Sequence, residues 1–255
     1  MTMSLPDGLL WAWAGSCLGA FAAWLPIRPR PAVQAGALGF AAGVMIAAAL
    51  LGLIPDALEQ VGPAGAWLAW LGFAAGLLLI AGLDRLLPHQ HPGAEGPDHV
   101  GATKHGIPRN AALLIALALT LHNIPEGMAV GVAGVSGEGG PSGMAVIIAI
   151  AFHNVVEGLL VTMPLVLAGM RRRTAFLLGQ LAGLIEVGAG AAAATLLPAN
   201  SAFIPIALAA AGGAMIFISF EELLPEAQRC HGGNAGPVGA VCGVGMTMVL
   251  ISLLG

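Results

Sequence analysis

The sequence predicts an all-α integral membrane protein: eight transmembrane helices in a three-plus-two-plus-three arrangement with inverted repeats, both termini outside. Three observations lead there: an apolar composition, the sorting of every cation to one side, and internal repeats at two spacings. Hydrophobic residues make up 58% of the chain and charged residues 9%, with a mean hydropathy of +0.90. A soluble domain carries roughly 25% charged residues. Spans of about 20 residues each fit near 8–27, 36–58, 64–87, 110–133, 143–168, 173–197, 202–226 and 236–254, forming a single transmembrane domain over 1–255. The lipid bilayer is the expected surrounding and no nucleic-acid partner is expected; the net charge of −4 says little about partners, because its distribution matters more than its sum.

Span one contains Trp11, Trp13 and Cys17, and no basic residue precedes it, so it is not read as a cleaved signal peptide. Trp24, Arg28 and Arg30 lie at its far end. Span two holds Met45 and ends near Asp56 and Glu59, which either attract cations at an entrance or lie at a solvated helix end. Span three opens with Trp67 and Trp70 and closes on Asp84 and Arg85. These indoles serve as interface anchors or as ordinary packing. Lys104 and Arg109 precede span four, and Arg171, Arg172 and Arg173 follow span five. Span six contains Glu186; span seven contains Glu221, Glu222 and Glu226, with Arg229 after it. Cys17, Cys230 and Cys242 match no paired-ligand spacing.

With eight alternating spans, all nine cations fall on one face. The positive-inside rule makes that face cytoplasmic and turns both termini outward. Seven or nine spans would scatter the charges over both faces.

The strongest repeat is His122-Asn123-Ile124-Pro125-Glu126-Gly127, which recurs in the next span as His153-Asn154-Val155-Val156-Glu157-Gly158. Each copy sets a histidine and a glutamate four residues apart, on one helix face. A second repeat joins Gly43-Val44-Met45-Ile46, leading to Leu53-Ile54-Pro55-Asp56-Ala57, with Gly213-Ala214-Met215-Ile216, leading to Leu223-Leu224-Pro225-Glu226-Ala227. It runs without a gap, so that one constant offset takes position 43 to 213 and position 57 to 227. In spans two and seven, which cross in opposite senses, this is the pattern of inverted-topology repeats.

An ionisable group at membrane depth is expensive: about 2.5–3.5 kcal/mol for each carboxylate at a helix centre. Glu126, Glu157 and Glu186 together would cost roughly 8–10 kcal/mol unpaired. No Lys or Arg sits at matching depth, so protons or metal ions must neutralise them. Imidazole, amide and carboxylate suit Zn²⁺, Fe²⁺, Mn²⁺, Co²⁺ and Cd²⁺, and the thioether of Met45 adds a soft ligand. Pro125 has no N–H, so the carbonyl of Leu121 is expected to lose its helical partner and turn towards a ligand. Gly127 and Gly158 permit close helix approach.

The paired His-Asn-x-x-Glu-Gly motifs, with Glu186 and the Gly-x-Met of span two, resemble the ZIP (Zrt/Irt-like protein) metal transporters, most closely their bacterial branch. The resemblance covers essentially the whole chain. It implies uptake of zinc and related divalent metals into the cytoplasm, across a bacterial inner (plasma) membrane, through a binuclear site and by alternating access. Carried over by position, one metal would use Met45, His122, Glu126, His153 and Glu157. The other would use Asn123, Asn154 and Glu186, with Glu126 and Glu157 bridging. A homodimer is expected on the same ground. The second motif has Val156 where the first has Pro125, a departure that leaves the kink of span five open.

The loop 88–109 carries His89, His91, His99 and His105 beside Asp84. Either it catches or senses exiting metal, or it is a solvated linker. Glu222, one turn deeper than Glu226, is expected on the exit path. Two other function classes fit the ligands: an intramembrane zinc-dependent hydrolase, for which the HExxH signature is absent, and a metal exporter. No enzyme activity and no organic cofactor are expected.

Overall fold

The computed structural model describes residues 5–25, 30–86, 109–135, 141–196, 202–230 and 233–254. The described residues fold into helices throughout: α1 (Leu5–Ala20) with a 3₁₀ turn at Phe21–Trp24, α2 (Pro31–Ala48), α3 (Ile54–Leu86), α4 (Arg109–Val135), α5 (Pro141–Leu167), α6 (Arg172–Leu196), α7 (Ile204–Ile218), α8 (Leu224–Cys230) and α9 (Ala235–Leu254). Five segments among them are long and apolar enough to cross a membrane: Pro31–Gly82, Met144–Leu167, Arg172–Leu196, Ile204–Cys230 and Ala235–Leu254. The first is 52 residues long, more than one crossing requires.

Local chemistry explains the breaks. Pro31 and Pro205 sit in first turns, where the missing N–H has no intrahelical partner to lose. Inside α3, Gly62 takes φ 63° and ψ 179° immediately before Pro63. Proline disfavours helical backbone in the residue before it, and only glycine tolerates that conformation. Gly169 (φ 80°) ends α5, with its N–H on Val166 O and that of Met170 on Leu165 O, both at 3.0 Å, a Schellman cap.

Two π-helical turns, Ala49–Leu53 between α2 and α3 and Ser219–Leu223 between α7 and α8, are related by the offset of the second repeat, position 49 matching 219. Neither was expected from the sequence. The same offset recurs in packing. A side chain on Gly76 of α3 would overlap the carbonyl of Ala210 on α7, and one on Gly243 of α9 would overlap that of Phe40 on α2. Phe40 and Ala210 are again matching positions of the repeat. The most extensive helix contacts are α3 with α7, α2 with α9, α4 with α6, and α1 with α5.

Alanine, glycine and methionine fill the interior: Ala42, Met45, Ala48, Ala209 and Met215 are fully enclosed. Small residues let backbones approach where lipid offers no hydrophobic drive for helix association. Large apolar side chains instead cover the outside, Leu18, Trp67, Trp70, Leu78, Val241 and Leu253 among them. α9 lies at the periphery, with 11% of its apolar stretch buried. An apolar exterior around a buried polar centre is the pattern of a protein solvated by lipid.

Candidate metal centre

The polar centre lies where α4, α5 and α6 meet α1, α2 and α7. The four-residue spacing puts His122 and Glu126 on one face of α4, and His153 and Glu157 on one face of α5. The two helices face each other closely enough for His153 Nε2 to stand 3.1 Å from Glu126 Oε1. Ligand atoms of Glu126, His153 and Glu157 all lie within 4.8 Å of one another. A small cavity of about 10 Å³ beside them is walled by Met45, His122, Glu126, His153 and Glu157, with apolar Leu119 and Ile218.

Neighbouring elements orient these ligands. His153 Nδ1 faces the carbonyl of Ala41 at 3.2 Å. A proton on Nδ1 donated there leaves Nε2 free for a cation, the arrangement most metal-binding imidazoles use. Asn154 Nδ2 donates to Glu186 Oε2 at 2.6 Å and to Ala12 O at 3.0 Å, tying α5 to α6 and α1. On the other side His122 Nε2 meets Glu222 Oε1 at 3.1 Å. Glu222 belongs to the π turn Ser219–Leu223.

Met45, His122, Asn123, Glu126, His153, Asn154, Glu157 and Glu186 are all buried, none more than 7% exposed. The structure brings the first metal's five expected ligands to one cavity and links Asn154 to Glu186. Asn123 Oδ1, Glu126 Oε2, Asn154 Oδ1, both oxygens of Glu157 and Glu186 Oε1 are enclosed without a hydrogen-bond partner among the described residues. Buried acceptors are almost always satisfied. So many together, with no Lys or Arg between Arg109 and Arg171, form a set whose chemistry suits cations. The side chain of Asp84, with His89, His91 and the rest of the loop 88–109 up to Pro108, lies outside the described residues.

Three participants were not foreseen. The carbonyls of Ala41 and Ala12 act through the backbone, which residue identity does not reveal. The contact between Glu222 and His122 pairs residues that lie far apart in the sequence. α4 is helical through Pro125.

Comparison with known proteins decides the family. The sequence model for the ZIP Zinc transporter family matches residues 89–252. The chain is 36% identical over 264 residues to the zinc transporter ZupT of Escherichia fergusonii, covering 99% of each. It is likewise 36% identical over 262 residues to ZupT of Salmonella arizonae and of Salmonella newport, again covering 99% of each. The chain belongs to the ZIP family. This ZIP protein is therefore a multi-pass membrane transporter of metal ions rather than an enzyme, which sets the hydrolase reading aside. Its two His-Asn-x-x-Glu-Gly motifs lie inside the matched region.

Proposed function

We propose that this ZIP protein carries divalent metal, Zn²⁺ foremost, into the cytoplasm through a binuclear site and by alternating access. Met45, His122, Glu126, His153 and Glu157 hold one cation. Asn123, Asn154 and Glu186 hold the other, with Glu126 and Glu157 bridging. The observation that carries the reading is the set of enclosed, unpartnered oxygens on Asn123, Glu126, Asn154, Glu157 and Glu186. Zinc is the metal named for the curated relatives. The ligand chemistry also admits Fe²⁺, Mn²⁺, Co²⁺ and Cd²⁺.

In this reading the chain crosses a bacterial inner membrane eight times, with both termini outward, and pairs as a homodimer. The matched π turns and the recurring offset support inverted repeats flanking α4 and α5. Glu222 lies on the cytoplasmic side of the first cation and receives it on exit, and the loop beside Asp84 extends that route. Counting Zn²⁺ bound per purified chain tests the site. Two in the wild type and one in Glu186→Gln are expected. A single cation in the wild type, lost in the same variant, would replace the binuclear site with a mononuclear one.

A further inference from the structure

One hydroxyl inside the helices behaves unlike its neighbours. Thr120, Thr162, Thr195, Ser219, Thr247 and Ser252 each donate to the carbonyl four residues back. That is how a helical hydroxyl in an apolar setting is ordinarily satisfied. Ser16 of α1 is 2% exposed, and its Oγ has no hydrogen-bond partner among the described residues. The carbonyl it would use, Ala12 O, accepts from Asn154 Nδ2 instead, at 3.0 Å. That amide also holds Glu186.

The surroundings of Ser16 are those of the metal centre. Its carbonyl packs on Gly158, the residue after Glu157. Its Oγ stands 3.1 Å from where a Cβ on Gly183 would be, one turn before Glu186. Glu157 and Glu186 both keep oxygens without a partner among the described residues. The repeat adds an independent argument, because the offset that takes position 43 to 213 also takes Ser16 to Glu186. Gly158 meets the carbonyl of Ser16 as Gly127, the matching glycine of the other motif, meets the carbonyl of Glu186. Ser16 thus holds in α1 the position that Glu186 holds in α6.

We propose that the Ser16 hydroxyl is a further oxygen ligand of the second cation, facing it from α1 as Glu186 does from α6. The inference rests on the binuclear reading. A hydroxyl adds coordination without adding charge. The repeat is therefore broken in charge and preserved in ligand position.

Full-length protein in detergent, with its three native cysteines (Cys17, Cys230 and Cys242) replaced by alanine, tests this with Cd²⁺ as the probe. Ser16→Cys puts a thiol at the position, and a thiolate bound to cadmium gives an ultraviolet charge-transfer band. We expect that band in Ser16→Cys, absent from its cysteine-free parent and lost when Glu186→Gln is added. No band from Ser16→Cys while two Cd²⁺ remain bound would overturn the proposal and leave the binuclear reading standing. One Cd²⁺ per chain in the parent would overturn both. Ser16→Ala provides a second measure: one of the two Cd²⁺ affinities, the one also lost in Glu186→Gln, should fall about tenfold or more, as when a ligand's environment is lost, with the other unchanged. Equal affinities in Ser16→Ala and the parent would contradict the proposal.

Discussion

Glu126 touches His153 and belongs to the three-residue cluster of close ligand atoms, while Met45 contributes a thioether to the cavity wall. Removing them should therefore have unequal effects. Glu126→Ala should abolish Zn²⁺ flux, because in the proposed binuclear site it deletes a bridging charge. Met45→Ala should leave measurable flux and shift the preference away from Cd²⁺, the softer ion. Equal losses, measured side by side in proteoliposomes, would remove the bridge from Glu126. Glu222→Gln should slow flux while the number of bound cations stays the same, since Glu222 meets His122 and is not among the proposed metal ligands. At this scale the clustering was largely legible. A histidine and a glutamate repeated inside apolar helices leave few alternatives, and their spacing gives the face directly. The carbonyls of Ala41 and Ala12 were not legible, because every residue carries a carbonyl and only the fold selects two of them.

Among the elements, helix content comes from apolar runs, and the irregularities come from particular residues. Gly62 sits in a conformation only glycine accepts. Gly62→Ala should cost about 1–3 kcal/mol, read as a lower melting temperature in detergent. Gly82→Ala meets nothing within 4 Å and should leave it unchanged or slightly raised. Matching temperatures for the two would mean that the break at Gly62 carries no strain. The π turns are a different case. A π turn is an α-helix with one residue inserted, so deleting Phe220 should restore the ladder and rotate the downstream helix by about 100°. Glu222 would leave His122, and flux should fall with the protein still folded. The break in α3 at Gly62 and Pro63 falls between the expected spans 36–58 and 64–87. Nothing in Ala49–Leu53 or Ser219–Leu223 announces a π turn, because it arises from packing rather than from propensity.

Across the whole molecule, two surfaces coexist: leucine, valine and tryptophan face outward, and carboxylates lie at the centre. That inversion of a soluble protein reflects the identity of the solvent, and composition alone made it visible. The expected sidedness rests on the nine cations, which need no structure to be counted. In cysteine-free protein within intact cells, Thr2→Cys should react with an impermeant thiol reagent, and Thr174→Cys, beside Arg173, should not. The reverse pattern would invert the topology and place the nine cations outside. What composition could not supply is the pairing of distant helices. α1 with α5 and α4 with α6 depend on glycines whose partners are backbone carbonyls rather than complementary side chains.

The most direct measurement of the central claim is Zn²⁺ entry into proteoliposomes loaded with a fluorescent chelator, comparing the wild type with His122→Ala/Glu126→Ala. Flux in the wild type and none in a folded double variant is the predicted result. Equal flux in both would contradict a conducting site built on α4.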